Sequence, residues 1–107
     1  MQTERRAYKR FDMSLPLYYR RLDQGEFFRS ESKNISEGGL RVALKESERK
    51  DRFMEFRLLM PKVHDTVDVV GRVAWVKADE EVEAGIEFVE SKTNYRDKIR
   101  LLCQREG

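Results

Sequence analysis

The residues with the plainest chemical content stand at the front of the chain. Arg6 and Arg10 lie four apart in Glu4-Arg5-Arg6-Ala7-Tyr8-Lys9-Arg10. A guanidinium is a planar fork of donors. It grips phosphate oxygens in pairs and stacks on a flat ring, which an ammonium does poorly. Such an arm suits a compact dianion with flat bases, and a solvated basic terminus making surface ion pairs is the plainer alternative. A second group is Lys33-Asn34-Ile35-Ser36-Glu37-Gly38-Gly39-Leu40. In an extended segment Asn34 and Ser36 share one face and Ile35 points the other way. An amide that both donates and accepts matches the edge of a guanine. Gly39 removes a side chain where a ligand might otherwise be crowded. Ordinary turn chemistry also places Asn, Ser and Gly in such a stretch.

Catalytic chemistry finds little support. The chain has one histidine, His64, and one cysteine, Cys103. A nucleophile needs a base and an orienting group within hydrogen-bond reach, and no serine stands in such a context. A zinc site needs four ligands, normally His and Cys, so no metal site is expected within one chain. His64 reads as an exposed loop residue beside Pro61, and Cys103 as a small apolar residue of a helix. No glycine pair precedes Lys-Ser or Lys-Thr at the spacing of a phosphate loop. The expectation is no catalytic residue, no metal, no cofactor and no enzyme.

These groups must be positioned by a small scaffold. The chain has 107 residues, of which 39% are charged and 39% apolar, and its 11 aromatics argue against disorder. One cysteine fits a reducing, cytoplasmic setting, and no apolar run approaches a membrane span or a signal-peptide core. The net charge of +2 hides an asymmetry. Residues 1–21 carry six basic groups against two acidic, and residues 22–107 carry 16 against 18. We therefore divide the chain into a flexible basic arm, residues 1–13, and a folded remainder, residues 14–107, within one domain.

From Leu15 the apolar period is two: Leu15, Leu17 and Tyr19 share a face. Asp23-Gln24-Gly25 reads as a turn, Phe27 to Ile35 as a polar strand, and Gly38-Gly39 as a turn free to take positive φ. Leu40, Val42 and Leu44 form a short strand. Lys45 to Arg52 reads as a solvated loop. Phe53 to Met60 points Met54, Phe56, Leu58 and Met60 inward. Thr66 to Lys77 points Val67, Val69, Val73 and Trp75 to one face, with a bulge or bend expected at Gly71. Val82, Ala84, Ile86 and Phe88 alternate inward after an acidic turn. From Ser91, a candidate N-cap, Tyr95, Ile99 and Leu102 fall on one helical face. Six short strands and a final helix predict an all-β barrel or sandwich with the helix over an open end.

Arg6-x-x-x-Arg10 followed by Asn34-x-Ser36-x-x-Gly39 resembles the paired motif of the PilZ domain, RxxxR then [D/N]xSxxG. Leu15-Pro16-Leu17, Gly38-Gly39-Leu40-Arg41-Val42, Gly71-Arg72-Val73-Ala74-Trp75-Val76 and Gly85-Ile86-Glu87-Phe88 resemble further landmarks, so the likeness spans residues 4–102. The resemblance implies a six-stranded antiparallel PilZ-type β-barrel with a C-terminal helix, acting as a bacterial receptor for cyclic di-GMP. It implies that Arg6 and Arg10 bind phosphates and stack on guanine, and that Asn34 and Ser36 bond guanine edges. It implies that Gly39, with Gly38 beside it, leaves the ligand room, and that Arg5 reaches a second ligand molecule. A domain of this kind is expected to signal through an unidentified downstream protein that controls motility, biofilm or polysaccharide. The alternatives are an interaction domain on the same fold that ignores the nucleotide, a single-stranded nucleic-acid binder, and a small hydrolase. We expect no nucleic-acid binding and no membrane insertion.

Overall fold

The computed structural model describes the backbone of residues 11–61, 64–89 and 95–106, with side chains throughout except at 103, 105 and 106. Six strands form in chain order: β1 Pro16–Arg21, β2 Phe28–Ser36, β3 Gly39–Leu44, β4 Phe53–Met60, β5 Asp65–Ala78 and β6 Val82–Phe88. The helix α1 spans Tyr95–Glu106. All neighbours pair antiparallel in the order β1-β2-β3-β6-β5-β4, and β4 pairs with β1 to close the barrel. Closure leaves a small sheet without the two edge strands an open one would expose.

Alternation fixes which residues fill the barrel. Leu17 and Tyr19 of β1, Met54, Phe56, Leu58 and Met60 of β4, and Ala84, Ile86 and Phe88 of β6 are buried at every second position. Leu17 lies opposite Leu58 and Tyr19 opposite Phe56, so the inward rows of β1 and β4 meet side by side. The helix face formed by Tyr95, Ile99 and Leu102 is buried, as its spacing predicts. Tyr95 meets Phe88 edge to face at 5.5 Å. Lys98 ties α1 to Asp65 at the start of β5 at 3.1 Å. Ser91 lies outside the described residues, as does the side chain of Cys103.

Four features depart from the sequence reading. The irregularity in β5 is not at Gly71. Val73 pairs with Ile86 and Trp75 with Gly85, so Ala74 is the extra residue of a bulge. One inserted residue reverses the parity beyond it. Trp75 therefore turns outward and is 43% exposed rather than inward beside Val73. Gly71 is instead required by packing, because a Cβ there would collide with the Ile86 side chain. Three further aromatics, Phe27, Phe28 and Phe53, also remain exposed. Residues 45–52 are not simply solvated. Glu48 is almost buried between Arg21 at 3.0 Å and Arg52 at 3.1 Å, and Asp51 and Arg52 exchange backbone hydrogen bonds with Val73. Lastly, positive φ among the described glycines belongs to Gly25, at 72°, and not to the pair at 38 and 39.

Candidate ligand-binding face

β2 and β3 are joined by a tight hairpin in which Ser36 pairs with Gly39 across Glu37 and Gly38. The Ser36 hydroxyl accepts from the Gly38 N–H at 3.1 Å and reaches the Gly39 carbonyl at 3.5 Å. It is buried, so its first task is to hold this turn. The Gly38 carbonyl accepts from Phe88 N–H at 2.8 Å, which ties the turn to the end of β6. Gly39 has a structural reason of its own. A Cβ there would strike the Ile86 carbonyl oxygen, so the room its missing side chain leaves is filled by β6. Glu37, at the tip, takes two hydrogen bonds from the Arg100 guanidinium at 2.9 and 3.0 Å, which fastens α1 to the turn. The hydrogen bond to Glu37, above all, raises the Arg100 pKa beyond its already basic range.

Asn34 stands two residues before Ser36, on the outer side of the barrel, with Ile35 buried between them. The pairings carry one row across four strands: Asn34 opposite Arg41, Arg41 opposite Gly85, and Gly85 opposite Trp75. The indole lies over Gly85, where a Cβ would occupy its place. Arg41 keeps a long ion pair with Glu83 at 3.6 Å. An amide, a guanidinium and an indole thus line one outward row beside the Ser36 turn. Together they offer hydrogen-bonding edges, a positive charge and a stacking surface. Sequence reasoning selects Asn34 and Ser36 but misses Arg41 and Trp75. Arg41 looks like one more outward charge of a strand, and Trp75 is assigned to the core by the parity the bulge reverses.

The residues that follow the basic stretch in sequence are held at the same place. Phe11 and Ile35 exchange backbone hydrogen bonds of 2.9 and 3.0 Å, so the residue that follows Arg10 in sequence is pinned to the strand carrying Asn34 and Ser36. Ser32 secures the next stretch. Its hydroxyl accepts from Leu15 N–H at 2.9 Å and donates to the Met13 carbonyl at 2.7 Å. Phe11 and Met13 pack against the core. Ser32 and Phe11 carry no sequence signal, since both roles arise from a chain that crosses β2 from elsewhere. Arg5, Arg6 and Arg10 themselves lie outside the described residues.

His64 is exposed in the turn between β4 and β5, and the described residues hold no His, Cys, Asp and Glu group able to grip a metal. No described helix is long and apolar enough to cross a membrane.

A closed six-stranded antiparallel barrel, with Phe11 pinned to β2 and a helix fastened to the β2–β3 turn, defines a small-barrel domain. The chain belongs to the PilZ domain family, whose sequence model matches residues 4–105. Among solved structures, the Bacillus subtilis inhibitor of motility (MotI/DgrA) superposes with a TM-score of 0.82 over 97% of this chain at 24% identity. YcgR of Escherichia coli in complex with c-di-GMP gives 0.76 over 96% at 13% identity. The MrkH–c-di-GMP complex of K. pneumonia gives 0.71 over 98% at 18% identity. The chain spans 51%, 46% and 57% of those three proteins, about half of each. These likenesses carry the fold. No protein of curated function matches the sequence.

Proposed function

We propose that this chain is a bacterial cyclic di-GMP receptor that passes the signal to a protein partner. The observation that carries the reading is the outward row Asn34–Arg41–Gly85–Trp75 with the arm root pinned beside it at Ile35. Membership of the PilZ family supports it, as do structural neighbours solved with c-di-GMP. Residues 1–13 act as the basic arm and residues 14–107 as the scaffold. Arg6 and Arg10 grip the phosphates and stack on guanine, and Asn34 meets a guanine edge. Ser36 gives up its long contact with the Gly39 carbonyl to meet the other, and Gly38 and Gly39 keep the turn low beneath the ligand. Arg5 reaches a second, stacked ligand molecule. Arg41 adds positive charge and Trp75 a flat surface at the margins.

On this reading the domain is not an enzyme, needs no cofactor and works in the cytoplasm, which its lone cysteine suits. Folding an arm over a ligand is an order–disorder switch that alters the surface shown to a partner controlling motility, biofilm or polysaccharide. Calorimetric titration of cyclic di-GMP into the wild type and into Arg6→Ala, Arg10→Ala and Ser36→Ala tests it. Binding in the wild type with two ligands per chain, and a loss of at least tenfold in each arginine variant, is expected. An absence of heat at high micromolar ligand, or unchanged affinity in both arginine variants, would return the domain to a nucleotide-independent interaction role.

A further inference from the structure

In the closed order β1-β2-β3-β6-β5-β4, strands β1 and β4 lie across the barrel from β3 and β6, away from the row that ends on Trp75. Leu17 and Tyr19 of β1 and Met54 and Phe56 of β4 are buried, so Tyr18, Arg20 and Phe53 point outward. Register sets these outward residues in a grid. Tyr18 lies between Arg29 and Arg57, Arg20 lies opposite Glu55, and the Leu22 N–H donates to the Phe53 carbonyl. Phe27 belongs to the same wall, because the Arg20 guanidinium sits 4.6 Å from its ring centre. Phe27 is 42% exposed and Phe53 47%, with the half-buried Leu22 beside them. Two large apolar side chains therefore flank the end of β1 from either side.

Charge divides this wall along its length. At one end Arg29 sits over Tyr18, with no acidic partner among the described residues. At the other end the turn between β1 and β2 carries Asp23 and Glu26, both exposed and with no basic partner among the described residues. Between the ends, charges cancel in place: Arg20 meets Glu55 and Arg57 meets Asp68, each at 2.8 Å. The frame is already held. Arg20 donates to the Gly25 carbonyl at 3.1 Å, and the Asp23 N–H donates to Glu55 at 2.8 Å, so docking here orders little that is loose. An apolar centre with one positive and one negative end complements itself. A two-fold axis near Phe27 sets each Phe27 against its counterpart and each Arg29 against the Glu26 turn of the other copy. A closed barrel offers no strand edge, so copies must meet through such side chains. Four strands and three outward rows make a footprint of about 20 Å by 20 Å. That is the low end of specific interfaces and suits a weak, micromolar dimer.

We propose that the outer wall of β1 and β4, with Phe27 and the β1–β2 turn, is the two-fold interface of a homodimer. The two Asn34–Trp75 rows then face away from each other, open on both sides of the pair. The inference rests on exposure, register and charge, independently of the nucleotide. Sedimentation equilibrium of the full chain, from low to high micromolar concentration, tests it. A reversible monomer–dimer equilibrium is expected. Phe27→Ser and Arg29→Glu should each weaken it at least tenfold, the first by removing the apolar centre and the second by setting like charges together. Arg29→Glu/Glu26→Arg, which exchanges the two ends, should restore it to within about threefold of wild type. Circular dichroism checks that each variant, altered only at exposed sites, keeps the barrel. A monomer at the highest concentration would leave the wall to a different partner and overturn the proposal. So would a dimer that neither single variant weakens, or a charge exchange that stays as weak as Arg29→Glu.

Discussion

An alanine at Gly39 would drive its methyl group into the Ile86 carbonyl oxygen, where β3 and β6 close on bare backbone. Neither strand can yield without breaking the ladder. Gly39→Ala should therefore cost about 3 kcal/mol, read as a lower urea midpoint with an unchanged slope. Gly25→Ala meets open space and suffers only from its positive φ of 72°, about 1 kcal/mol. The contrast separates a glycine kept for contact from one kept for conformation, a distinction that two identical letters in a sequence do not carry. Ser32 makes the same point for polar residues. Ser32→Ala leaves the Leu15 N–H and the Met13 carbonyl without their buried partner. It should cost about 1–3 kcal/mol by urea titration and speed amide exchange over residues 11–15. Beside Ser30 in a polar strand nothing marks Ser32 out, because its role comes from the chain that crosses it. Asn34 and Ser36 stand out as candidates for the opposite reason, since their two-residue spacing suggests a shared face without help from any other strand, though Ser36 is buried and holds the turn.

At the scale of elements, legibility followed the regularity of the pleat. β4 alternates cleanly from end to end, and in β6 Ala84, Ile86 and Phe88 are buried as alternation predicts, with Gly85 buried too beneath the indole of Trp75. β5 alternates only up to its bulge, and beyond Ala74 the side of every residue depends on one insertion that its pairing with β6 reveals. The stretch at residues 45–52 is mostly exposed, as its run of charges predicts; what the run hides is the anchoring of Glu48 between Arg21 of β1 and Arg52. Ion pairs between elements also set the acid response. The hydrogen bond from Lys98, with the Thr66 N–H helping, holds the Asp65 carboxyl below its usual range, and Arg57 does the same for Asp68. The unfolded chain then binds more protons than the folded one between the lowered values and the ordinary carboxylate value of about 3.9. Their stabilisation is complete above that window and is lost as pH falls through it. Melting temperature should stay flat from neutrality to about pH 5 and fall below about pH 4. Asp65→Asn/Asp68→Asn should make the fall shallower in a circular-dichroism series. Arg100→Ala should loosen α1 from the hairpin, seen as faster amide exchange in the helix with little change in the global melt, since the Arg100 end of the pair is half exposed.

For the whole molecule, closure of the barrel places the core, the hairpin and the arm root in one cooperative unit, so a ligand at the outer face acts on the stability of all of it. On the receptor reading, cyclic di-GMP at one hundred times its dissociation constant should add about 2.7 kcal/mol, or a melting shift on the order of 10 °C for a domain of this size. Differential scanning calorimetry measures it, and Arg6→Ala/Arg10→Ala should abolish the shift without moving the unliganded melt. The family match over residues 4–105 fits a chain whose motifs run nearly end to end. In the sequence the basic stretch runs directly into Phe11, whose backbone is hydrogen-bonded to Ile35 of β2. One outward residue carries a practical consequence. Trp75 is the sole tryptophan of the chain and sits half in water over Gly85. Its emission is therefore a built-in optical signal from that face alone. It should respond to a stacked purine by quenching, and to Gly85→Ala by a change of wavelength without ligand, so that occupancy of the face can be followed in a cuvette with no label attached.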